Sequence, residues 1–142
     1  MEERDSQPRA VSDLELVRRT IEAAPDVDAV LGAFARDARW ESVDLGFSLQ
    51  GVEEIRGFLS DWYGSYLESS TTAENLQDLG GGVIVGESVQ SGRLAEGAGA
   101  VSQRSGIVVV MRDGVVAHVF IYREPEEARA AAAELTEARP AP

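Results

Sequence analysis

The segment SGIVVVMRDGVVAHVFIYREPEEA, Ser105–Ala128, decides the fold. Two apolar strands meet at Asp113-Gly114, a dipeptide that tolerates the positive φ of a tight hairpin turn. The second strand runs straight into Arg-Glu-Pro-Glu-Glu-Ala. Pro125 stands where a first helical residue belongs, and Glu126 and Glu127 load the positive end of the helix dipole. A hairpin that leads directly into a helix closes a curved antiparallel sheet, and the residues upstream supply the rest of it.

Working back from Val101, the apolar period stays at two. Ala73–Leu79, Val83–Ser91, Val101–Met111 and Val115–Tyr122 read as four strands, divided by Gly80-Gly81-Gly82, a loose Gly92–Gly99 connection and Asp113-Gly114. Before Ser69 the period lengthens to that of helices. Ser12-Asp-Leu-Glu15 is a capping box that starts a helix over about Asp13–Ala24, with Leu14, Val17 and Ile21 as its stripe. Pro25-Asp26 begins a short second helix that turns Val27, Val30, Leu31 and Phe34 inward. Ala38–Val43 alternates as a strand and Gly46–Gly51 returns from it. A third helix covers about Val52–Leu67 through Ile55, Phe58, Leu59, Trp62 and Tyr66, and a final one about Pro125–Thr136. The order α-α-β-α-β-β-β-β-α makes the chain α+β. Residues 1–10 read as a disordered lead, 11–137 as a single domain and 138–142 as a frayed C-terminus.

Composition narrows the function. The chain has 142 residues, no cysteine and a net charge of −12, from 13 basic and 25 acidic residues. Such a surface repels a phosphate backbone, so nucleic acid is not an expected partner. Without cysteine there is neither a disulfide framework nor a thiolate metal site. His118 is the sole histidine, which removes a histidine-rich metal centre and an HExxH helix. No Gly-rich phosphate loop is present, and no nucleophile elbow stands near a histidine. The charged opening MEERDSQPRA is not a signal peptide and no stretch approaches a membrane span. A cytoplasmic protein that needs no cofactor, metal or membrane is the expectation.

Several pieces in this order resemble the nuclear-transport-factor-2-like superfamily, and within it the SnoaL-like proteins. They are Phe34-Ala-Arg-Asp-Ala-Arg-Trp40-Glu41, Gly51-Val-Glu-Glu-Ile-Arg-Gly-Phe58 through Trp62, and Leu79-Gly80 before the valine strand. Ser91-Gly92-Arg93, Arg112-Asp113-Gly114, and Tyr122 with Pro125-Glu-Glu-Ala128 complete the set. The resemblance implies a cystatin-like cone, a half-barrel in which a curved antiparallel sheet wraps around the N-terminal helices and a pocket. Its relatives include ketosteroid isomerases, limonene epoxide hydrolases, polyketide cyclases and proteins that only bind. Function therefore has to be argued from the site.

The isomerase roles do not carry over. The general-base aspartate of that family falls on Ser42, its oxyanion-hole tyrosine on Arg18, and its second oxyanion donor near Ile107. A serine hydroxyl cannot take a proton from carbon at neutral pH. The epoxide hydrolases' two aspartates and arginine have no counterpart among Asp37, Asp44, Asp61, Asp78 and Asp113. A cyclase needs only a carboxylate over the pocket.

Strand parity proposes which residues face inward. In the last strand Val115, Ala117, Val119 and Ile121 form an aliphatic face that should line the cone. Val116, His118, Phe120 and Tyr122 form a mixed face suited to a homodimer contact. Along Val83, Val85, Glu87 and Val89, parity places Glu87 inward among valines, where burial would raise its pKa as a general acid or base requires. The alternative is a bend near Gly86 that leaves Glu87 in water. Trp40 and Ser42 share the pocket face carried over from the isomerase comparison, with Asp44 one pleat nearer the mouth. Arg18 borders the stripe of the first helix, where it either takes a partner, Asp44, Glu87 or a ligand carboxylate, or joins Arg19 and Glu15 in a solvated helix face.

Two functions follow. The first is a binding module for a small apolar or amphipathic molecule, its pocket formed by Arg18, Trp40, Ser42, Phe58, Trp62, Tyr63, Val85, Val109, Val119 and Ile121. The second is a cofactor-independent cyclase or isomerase that uses Glu87, or else Asp44, for proton transfer.

Overall fold

The computed structural model describes residues 12–94 and 99–138. The expected N-terminal lead, the 139–142 end and most of the connection after Gly92 lie outside the described residues.

Helix α1, Asp13–Glu22, begins as the capping box requires: the Ser12 hydroxyl accepts from Glu15 N at 3.1 Å. Helix α2, Val27–Leu31, is capped by Asp26, which accepts from Ala29 N at 3.1 Å. It ends before Phe34, which opens strand β1, Phe34–Ser42. Strand β2, Phe47–Gln50, is short and pairs antiparallel with β1. Helix α3, Val52–Gly64, follows, and Glu54 accepts from Gln50 N at 2.8 Å at its start. Strands β3, Tyr66–Gly80; β4, Val83–Leu94; β5, Ala100–Arg112; and β6, Val115–Tyr122, form the meander. Helix α4 spans Pro125–Ala138. Asp113 and Gly114 both hold positive φ, at 54° and 82°, as the hairpin turn demands.

The strands form one curved, unclosed sheet in the order β2-β1-β6-β5-β4-β3. β1 lies parallel to β6, so the sheet is mixed where an antiparallel one was expected, and β2 adds a strand to the anticipated order. β1 also begins four residues before the expected Ala38, because pairing with β6, remote in sequence, recruits Phe34 opposite Val116. Ala138 belongs to α4, although 138–142 was read as frayed.

Both faces of the sheet are covered. α1 puts Val17 and Ile21 against Ile84, Ile107, Val109, Met111, Val116 and Val119 on the inner face. α2 and α3 bury Leu31, Ile55 and Leu59 over β1. On the outer face, Ala128 and Ala132 of α4 pack on Val83, Val85 and Val108, with Phe120 and Tyr122 against the same cluster. Those three valines are at most 2% exposed, and each contributes on the order of 2 kcal/mol by leaving water. No helix among the described residues is long and apolar enough to cross a membrane.

Candidate functional site

The pairing registers carry rows of side chains across the inner face. Trp40, Val119, Val109 and Ile84 form one row. Ser42, Ile121, Ile107 and Gly86 form the next. Toward the open end come Ser105, Ser88 and Ala73, and then Gln103, Gln90 and Thr71. The side chains of α1 and α3 stand across from these rows. Between them lies a cavity of about 190 Å³, with Val17, Ile21, Phe58 and Tyr63 on its helical wall. Leu45 and Trp62, respectively 70% and 37% exposed, mark its rim.

Aromatic rings build one side. The Phe58 ring lies 6.0 Å from Trp40 and 6.2 Å from Trp62 between centroids, and 5.3 Å from Phe47. Trp62 Nε1 donates to Gln90 Oε1 at 3.1 Å, and Gln90 Nε2 donates to Ser69 Oγ at 3.2 Å. The rim of α3 is thereby tied to β4. Burial pushes the Tyr63 phenol up to about 12, so it stays protonated throughout the physiological range. Trp40 Nε1 and Thr71 Oγ1 are buried with no hydrogen-bond partner among the described residues.

Of the residues proposed from the sequence as ligand-binding, Trp40, Ser42, Phe58, Trp62, Tyr63, Val109, Val119 and Ile121 line this cavity. Ser42 is only 7% exposed. Four other expected residues lie elsewhere. Val85 is on the opposite face, under α4. Arg18 is outside the cavity: its guanidinium lies 3.7 Å from Glu15 and donates to the Ala73 carbonyl at 3.5 Å. Asp44, in the exposed turn after β1, accepts from Arg123 N at 2.5 Å. Neither Asp44 nor Glu87 meets Arg18, which lies with Glu15 on the helix face.

Glu87 departs furthest from expectation. It is buried at 6% exposure, yet on the outer face, opposite Gly106 and beneath α4. Its carboxylate accepts from Arg104 at 2.5 Å, from Asn75 at 3.2 Å and from Arg129 of α4 at 3.3 Å. Burial pushes its pKa up, but the bonds from Arg104 and Asn75 and the charges of Arg104 and Arg129 outweigh it. The group is held below the ordinary carboxylate value, where a rise had been expected. It anchors the C-terminal helix, charged and paired. Parity failed because Val83-Ile84-Val85 is aliphatic on both faces, as a strand covered on both sides must be.

A bulge accounts for a second inversion. β6 slips by one residue between its Val110 and Met111 pairings, which turns Val116 into the cavity rather than outward. His118 and Phe120 remain outside, stacked at 4.0 Å, with His118 Nε2 2.8 Å from Glu41. Of the four residues that suggested a dimer face, Val116 is thus internal, while Phe120 and Tyr122 pack with α4.

Thr71, Ser88, Gln90, Gln103 and Ser105 also line the cavity, although strand parity was not applied to them above. Val109 held the usable signal: counting back in twos from it passes Ile107, Ser105 and Gln103. Among the described residues no group of three or more His, Asp or Glu side chains could hold a metal ion.

No protein-family model matches the chain, and no curated protein does. Solved structures do match it in fold. An NTF2-like protein of unknown function from Burkholderia pseudomallei superposes with a TM-score of 0.68 at 21% identity, over 92% of this chain and 100% of that one. A SnoaL-like protein from Jannaschia sp. CCS1, provisionally assigned as a polyketide cyclase, gives 0.68 at 14% identity, over 89% and 97% of the two chains. A protein with a ketosteroid isomerase-like fold from Catenulispora acidiphila, solved in complex with trimethylamine, gives 0.67 at 14% identity, over 88% and 95%. The chain has the NTF2-like, SnoaL-like fold that its sequence resembles.

Proposed function

We propose that this domain binds a small, uncharged, largely apolar molecule inside its cone. One observation carries the reading: among the described residues lining the cavity there is no Asp, Glu, Lys, Arg or His. A cavity of about 150 Å³ holds benzene, and about 190 Å³ here suits one ring with a short substituent. A charged ligand would lose its hydration with no counter-charge to meet it. The two carboxylates considered for proton transfer, Glu87 and Asp44, are engaged elsewhere, which favours binding over cyclase or isomerase chemistry.

Calorimetric titration with propylbenzene and with 4-propylbenzoate tests this. The neutral compound is expected to saturate one site, and the carboxylate to bind at least about tenfold more weakly. Trp40→Ala removes a wall of the cavity and weakens propylbenzene. Equal affinity for the two compounds would refute the reading.

Self-association through the outer sheet face remains part of the proposal, now reduced to the surface around His118 and Glu41 that α4 leaves uncovered.

A further inference from the structure

The inner face of the sheet changes chemistry along its strands. Val109 and Val119, toward its apolar end, are 3% and 2% exposed. Two residues further along β5 comes Ile107, then Ser105, then the exposed Gln103, and β4 matches these in register with Gly86, Ser88 and Gln90. That is a span of roughly 20 Å at about 3.4 Å per residue. Exposure and polarity rise together along it, and charge never appears.

The polar end has unused hydrogen-bonding capacity. The side chains of Ser88, Ser105 and Gln103 bond to no described residue. Gln90 is fixed by Trp62 and Ser69, yet keeps one amide hydrogen and one carbonyl lone pair. Ser88 and Ser105 face each other across β4 and β5, so two hydroxyls sit side by side in one row. Hydroxyls both donate and accept, so the pair matches an alcohol, a phenol or a carbonyl.

We propose, building on the binding reading above, that the ligand is a neutral amphipathic molecule that enters tail first. Its hydrocarbon end lies on Val109 and Val119, and its hydroxyl or carbonyl oxygen is held by Ser88 and Ser105.

A matched pair of ligands, 4-propylphenol and propylbenzene, tests this on the intact chain and on Ser88→Ala/Ser105→Ala. Both compounds saturate the wild type. The double variant loses about fivefold for 4-propylphenol, the scale of one neutral hydrogen bond. It loses less than about twofold for propylbenzene, whose retained binding also shows the variant folded. In the wild type, nuclear Overhauser contacts run from the propyl methyl group to Val109 and Val119. Contacts from that methyl to Gln103 instead, or 4-propylphenol affinity untouched by the double substitution, would overturn the orientation while leaving the binding reading intact. If neither compound binds the wild type, the binding reading itself falls.

Discussion

Substituting Gly106 probes how closely the C-terminal helix lies on the sheet. A Cβ at this position would stand 2.6 Å from Ala128 Cβ, 2.8 Å from Pro125 Cα and 3.0 Å from the Glu124 carbonyl oxygen. Carbon atoms settle at about 3.5–4.0 Å, so the start of α4 has to lift by roughly 1 Å. Two of the three obstructing atoms are backbone and cannot rotate away. Lifting α4 loosens its grip on Val83, Val85 and Val108 and draws Arg129 off Glu87. Overpacking of this kind costs about 2 kcal/mol, or about 8 °C in Tm for a domain of this length. Urea denaturation of Gly106→Ala should lower the midpoint with the slope unchanged. Gly57→Ala is the control: this α3 glycine is exposed with nothing within 4 Å of the added carbon. It should gain about 0.5–1 kcal/mol from helix propensity. A Gly106→Ala protein within about 0.5 kcal/mol of wild type would refute the close seating of α4.

Three further outcomes follow from the geometry. Glu87 is held below its ordinary value of 4.5, so it adds stability above that pH and loses it as pH falls through the folded value. The Tm gap between wild type and Glu87→Gln should therefore be widest near neutrality and close in acid; a gap constant with pH would contradict the pairing. Tyr63 is raised from 10.0 to about 12, so the stability it lends is complete below pH 10 and is lost as pH rises to about 12. Its loss, at most about 3 kcal/mol, should vanish in Tyr63→Phe, and identical alkaline denaturation of the two proteins would argue against burial of the phenol. Sedimentation at tens of micromolar protein should find a dimer that His118→Glu weakens by setting two carboxylates together; a monomeric wild type would end that proposal.

The parts of the fold legible in the sequence were those fixed by local chemistry. Asp113-Gly114 needed only its own backbone preference, and β6 has the expected bounds Val115–Tyr122. Pro125 and the two glutamates mark the start of α4 without help from the rest of the chain. The early start of β1 was not legible, because Phe34 becomes strand only by pairing with Val116, some eighty residues later in the chain. Parity points to the cavity side for Val119 and Ile121, whose strand differs in character between its faces. It failed for Glu87 because α4 makes the outer face of β4 as apolar as the inner one. Only the partner strands and the helix seated on them reveal which valines are which.

Methyl NMR of the valine and isoleucine side chains during titration with propylbenzene shows which face of the sheet holds a ligand. The cavity face and the α4 face of one sheet then act as each other's controls. Binding inside the cone should give saturable shifts at Val109, Val119 and Ile121, while Val83, Val85 and Val108 stay in place. Saturable shifts centred on Val83, Val85 and Val108, or no shift at any of these methyls, would contradict it.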